Sequence, residues 1–112
     1  MTTVDIVSDK QGTYKSIIFM GHAGYAKAGE PDILCAAISV LMESTMNALE
    51  ELAGEKIKAT PNEETGFARF DFADDVPLQE NSVFMLDSFV LAMENLSKKC
   101  GTEYLQVNFK EV

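Results

Sequence analysis

The chain has one histidine and two cysteines in 112 residues, and no Cys-x-x-Cys pair. That is too little ligand chemistry for a zinc site and too few cysteines for a secreted disulfide framework, so neither metal nor cofactor is expected. Long apolar runs are missing as well. The longest, Ile33 to Met42, is interrupted by Cys35 and Ser39 and falls short of the roughly 18–20 residues a membrane helix needs. The start, Met-Thr-Thr-Val-Asp, places no basic segment ahead of an apolar one, so no signal peptide is expected. These absences lead to the expectation of a soluble, cytoplasmic protein with no membrane partner. Basic residues are scarce, 9 against 18 acidic, for a net charge of −9. Such a field repels phosphate and argues against direct DNA or RNA binding. It draws in a basic protein or peptide, although acidity also serves simply to keep a cytosolic protein in solution.

What is present reads as one domain over residues 1–112. Hydrophobic residues make up 46% and charged residues 24%, enough apolar material for a core without staples. Residues 2–8 alternate Val4 and Ile6 against Thr3 and Asp5. After Gly12 comes Ile17-Ile18-Phe19 within residues 15–20, so an antiparallel hairpin is expected. Glycines at 21, 24 and 29 mark a loop as far as Pro31. Pro31-Asp32 then opens a helix in which Ile33, Ala37, Leu41, Ala48 and Leu52 recur at helical spacing before Gly54. Residues 56–59 and 67–72 read as a second strand pair joined by Pro61–Gly66. A second helix over about 80–99 carries the stripe Leu86, Phe89, Val90, Met93 and Leu96, and Gly101 follows it. A last strand over 103–109 sets Leu105, Val107 and Phe109 on one face. The order β-β-α-β-β-α-β predicts an α+β fold, two helices packed on a mostly antiparallel sheet.

The only histidine, His22, stands at the end of a strand in Gly21-His22-Ala23. One of the two cysteines, Cys35, stands in the first turn of the predicted helix, after a loop of 12 residues. A thiol attacks as thiolate, and an ordinary cysteine is little ionised at neutral pH. Backbone N–H groups at a helix start favour negative charge there, and a nearby imidazolium adds to the effect. The same helix start can offer N–H donors to an oxyanion in acyl transfer. Ser39, four residues on, shares the face of Cys35 and is within reach of the thiol or a substrate carbonyl. Asp32 has two readings, a plain helix cap or a group that orients His22. Each residue also has a bland reading: a lone cysteine as a small hydrophobe, a lone histidine as incidental, Ser39 as helix surface. Cys100 follows Leu96 by four residues and reads as core filling or a helix end, and the methionines at 42, 46, 85 and 93 as core or interface material.

The Gly21-His22-Ala23 element, the glycine-bearing loop and Asp32-Ile33-Leu34-Cys35-Ala36-Ala37-Ile38-Ser39 resemble the signature of the ribosomal-processing cysteine proteases, the Prp family. The His-to-Cys stretch is the specific part, and residues 55–112 agree in pattern only. The resemblance implies a homodimeric bacterial endopeptidase that removes a short N-terminal extension from a large-subunit ribosomal protein. It implies His22 as general base and then acid, and Cys35 as nucleophile. Asp32 and Ser39 would be supporting residues, and the loop from Gly24 to Pro31, with Gly24 and Gly29, would be a gate over the substrate. Two other readings compete. One is a non-catalytic acidic module that binds a basic ribosomal protein during ribosome assembly. The other is a thiol redox protein, weakened because Cys100 lies on a different element.

Overall fold

The computed structural model describes residues 1–22, 32–62 and 64–112. Its elements are β1 (Thr2–Ser8), β2 (Tyr14–Met20), α1 (Ile33–Glu51), β3 (Ile57–Asn62), β4 (Phe67–Phe72), α2 (Glu80–Cys100) and β5 (Leu105–Glu111). The five strands form one sheet in the order β3-β4-β2-β1-β5. Every neighbouring pair is antiparallel except β1 with β5, which run parallel. This is the α+β order expected from the sequence.

The β1–β2 turn is held by Asp9, whose carboxylate accepts the N–H groups of Gln11 and Thr13, each at 2.9 Å. That turn sets the register in which Val4 faces Phe19 and Ile6 faces Ile17. The same face continues through Ala68, Phe70 and Phe72 of β4 and Leu105 and Val107 of β5. Against it pack Leu34, Ile38, Met46 and Leu49 of α1 and Leu86, Phe89, Val90 and Met93 of α2. Each fully buried side chain of this size contributes roughly 1.5–3 kcal/mol by leaving water. Phe19 stands edge-on to Phe70 and to Phe89, at 6.0 and 5.8 Å between ring centroids.

Two expectations need correction. The buried stripe of α1 lies one position away from the one read from spacing: Leu34, Ile38, Met46 and Leu49 are buried, whereas Ile33 and Leu52 are 68% and 85% exposed. Apolar residues occur on most sides of this helix, so two stripes fit its period and only packing chooses between them. By length and composition alone α1 could cross a membrane; here its buried stripe sits on the sheet. Second, β3 runs on through Pro61 and Asn62. It is an edge strand, where a residue without an N–H is tolerated.

Asp5 is on the side of β1 opposite Val4 and Ile6, as the alternation predicts, and there it is buried. The parallel neighbour β5 supplies the reason. Asn108 Nδ2 and Lys110 Nζ each donate to the Asp5 carboxylate at 3.0 Å. On the same outer face, the Asp71 carboxylate accepts from Arg69 Nε at 3.0 Å and from the Ser16 hydroxyl at 2.7 Å. The Arg69 bond, foremost, holds the Asp71 carboxyl below its ordinary range.

α1 begins at a cap. Asp32 is in an extended conformation and its carboxylate accepts the N–H of Cys35 at 3.0 Å. α2 begins without a side-chain cap, but Glu80 in its first turn and Lys98 and Lys99 in its last complement the helix dipole. Cys100 closes α2, half-buried and packed on the core.

Candidate active site

β2 ends at Met20, and Gly21 turns the chain with a φ of +87°. The turn is tight. A Cβ on Gly21 would lie 2.4 Å from the Met1 carbonyl oxygen, so no side chain fits there. The Thr2 hydroxyl donates to the Gly21 carbonyl at 3.5 Å. His22 follows and is exposed. Cys35 comes from the other layer, three residues into α1 from its cap, and is half-buried. Ser39 is exposed one turn further along α1.

A cavity of about 460 Å³ brings these residues together: His22, Cys35 and Ser39 all line it. Its floor is the helix-facing side of the sheet, with Phe19, Ala59, Pro61, Ala68 and Phe70. Ile38 and Met42 close the α1 side, and Glu43 gives that wall its acidic group. The lining is chiefly apolar, with a thiol, an imidazole and a hydroxyl among it. Such a cleft, apolar with a few convergent polar groups, is the usual form of a small-substrate or peptide site.

Asp32 is not among the residues lining the cavity. Its carboxylate caps α1, as the first of its two readings has it. The cap also bears on the expectation that the helix start serves as an oxyanion site. The Cys35 amide is taken by the Asp32 carboxylate, and the Ala36 amide by the Asp32 carbonyl at 3.1 Å. The donor nearest the sulfur is therefore already satisfied within the protein. Gly24 and Gly29, read as parts of a gate, lie outside the described residues. Among the described residues, no group of three or more His, Cys, Asp or Glu side chains is placed to hold a metal ion.

Sequence reasoning did not find the walls. Met42 reads only as core or interface material and Phe19 and Phe70 only as strand residues, while Ala59, Gly66 and Ala68 carry no reading as site residues. Strand parity was the usable signal for some of them: Phe19, Ala68 and Phe70 share the helix-facing side once β2 and β4 are in register. What parity does not give is where between that face and α1 a cavity remains.

The family described as cysteine protease Prp matches residues 1–105. The ribosomal processing cysteine protease Prp of Staphylococcus aureus is 24% identical over 110 residues, covering 98% of this chain and 100% of its own. Among solved structures, the essential ribosomal processing protease Prp from S. aureus, in complex with a covalently linked product peptide, superposes with a TM-score of 0.86 at 24% identity. That match covers 98% of this chain and 100% of the other. SMU.848 from Streptococcus mutans gives a TM-score of 0.85 at 27% identity, over 100% of this chain and 96% of the other.

Proposed function

This chain belongs to the cysteine protease Prp family, and on that premise we propose that it cleaves a peptide bond through Cys35 and His22, removing the short N-terminal extension of a large-subunit ribosomal protein. The observation that carries the reading is the shared cavity: a thiol from the first turn of α1 and an imidazole from the end of β2 line one apolar cleft. In the proposed reaction His22 takes the thiol proton and the Cys35 sulfur attacks the scissile carbonyl carbon. The tetrahedral adduct collapses as the imidazolium gives its proton to the leaving amine, which departs with the C-terminal fragment. His22 then takes a proton from water, whose oxygen displaces the thiol from the thioester and frees the N-terminal fragment as its carboxylate.

Ser39, on the face of α1 that carries Cys35, is a supporting hydroxyl for thiol or substrate. Asp32 supports by fixing the helix start that presents Cys35. The apolar floor, with Phe19 and Phe70, suits an apolar substrate side chain, and the net charge of −9 suits a basic ribosomal protein. We place the reaction in the cytoplasm and assign a homodimer. Phe84 and Leu91, seven residues apart on α2 and 75% and 59% exposed, give a second copy an apolar stripe to cover.

The test is to incubate the purified protein with the host's extended ribosomal protein and weigh the fragments. The expected result is two masses that sum to the substrate plus one water, absent with Cys35→Ala and much reduced with His22→Ala. Trimming that persists in both variants rejects the dyad. Binding without any cleavage would support the non-catalytic acidic module instead.

A further inference from the structure

β2 and β4 pair with Ile17 opposite Phe70 and Phe19 opposite Ala68. Carried one more pleat beyond that ladder, the register sets Gly21 opposite Gly66. Both have positive φ, +87° and +66°. A Cβ built on Gly66 would lie 2.7 Å from the Gly21 carbonyl oxygen and 3.0 Å from Nε2 of His22. The imidazole therefore rests where the side chain of any other residue at 66 would begin. Gly66 also lines the cavity that holds the Cys35 thiol.

We propose that Gly66 is a positioning residue for His22: its missing side chain is the seat of the imidazole, and it fixes where Nε2 sits in the cavity. A general base must stand within hydrogen-bond reach of the proton it removes, and a misplacement of about 1 Å can cost on the order of 100-fold in rate. A methyl at 66 meets two obstacles. The Gly21 carbonyl is backbone, anchored in the turn that leads to His22, so it yields little. The imidazole is a side chain on an exposed residue, so the ring is what moves. The strand pair thus acts on the base through the absence of a single carbon. This inference rests on His22 being the base.

Gly54 supplies the control. Its φ is +71°, but a Cβ there meets nothing within 4 Å, so Gly54→Ala carries the left-handed backbone strain without touching His22. Both Gly66→Ala and Gly54→Ala should lower Tm. Only Gly66→Ala should lower kcat, by about tenfold or more with a smaller change in KM, and change the pH profile of Cys35 alkylation by iodoacetamide. A Gly66→Ala enzyme that matches Gly54→Ala in kcat and in that profile overturns the proposal. Should Gly66→Ala not fold, proton NMR of the parent and of His22→Ala decides. Loss of a ring-current shift at the Gly66 α-protons supports the seat, and unchanged α-proton shifts overturn it. Failure of the dyad itself would look different. In that case His22→Ala would still cleave, whatever the Gly66 protons reported.

Discussion

The carboxylate of Asp32 accepts the backbone N–H of Cys35 at 3.0 Å, so the residue that starts α1 is bonded to the residue assigned as nucleophile three positions on. The bond satisfies one of the orphan donors of the helix start, and it needs an oxygen acceptor rather than a charge. Asp32→Asn is expected to keep stability within a few tenths of a kcal/mol, and Asp32→Ala to lose about 1 kcal/mol in urea unfolding. Peptide cleavage should follow the cap, staying within a few-fold of parent in the first variant and falling further in the second. A large loss in Asp32→Asn with unchanged stability would show that the charge itself acts on the chemistry.

The floor of the cavity offers a second test. Ala59 sits on the edge strand β3 opposite Phe70, exposed and lining the cleft. Ala59→Trp should narrow the cleft without disturbing the core, raising KM by about tenfold, equivalent to about 1.4 kcal/mol of binding, with kcat close to parent. Steady-state kinetics on a peptide spanning the cleavage point would check it. An unchanged KM would mean that substrate does not occupy that end.

Away from the cleft, the Tyr14 hydroxyl of β2 donates to the Asp87 carboxylate of α2, tying the sheet to the helix. Burial first, then that bond and the Asp87 charge, push the Tyr14 phenol well above its ordinary value. A phenol harder to ionise in the fold than in the open chain contributes stability that is whole below the unfolded value of about 10. The contribution is lost as pH rises from there toward the raised value. Tyr14→Phe should therefore cost about 0.5–1.5 kcal/mol near neutrality, with the deficit shrinking above about pH 10. Denaturant titrations across that range would measure it. Ultraviolet titration should show one late phenol lost in the variant.

Leu49 in the last turn of α1 and Leu52 at its C-cap have opposite fates, buried at 0% and exposed at 85%. Leu49→Ala is expected to destabilise by about 2–5 kcal/mol and Leu52→Ala by less than about 0.5 kcal/mol. Equal effects would restore the stripe through Leu52 that spacing suggests.

This helix shows where sequence stops informing. Its limits are legible because Asp32 caps it and Gly54 follows it, but its buried side is not, since Ile33 and Leu52 match the period as well as Leu34 and Leu49. The strands were easier. Val4 and Ile6 alternate, Phe70 and Phe72 alternate, and both pairs face the core. Asp5 misleads because its partners, Asn108 and Lys110, stand over 100 positions away. The site divides in the same way. His22 and Cys35 stand out in the sequence through chemistry and motif, and both line one cavity. Gly66 reaches His22 only through the register of β4 against β2, which no local pattern encodes.

The parallel ladder between β1 and β5 joins Thr2 to Leu105 and Ser8 to Glu111. Until Leu105–Glu111 has been synthesised, β1 can be bonded along one side only, and its other row of amides stays open to any passing strand. Closure across nearly the full contour length is slow for entropic reasons. A nascent copy is thus most prone to sticking until β5 has emerged, and a variant trimmed of β5 should precipitate rather than merely lose activity.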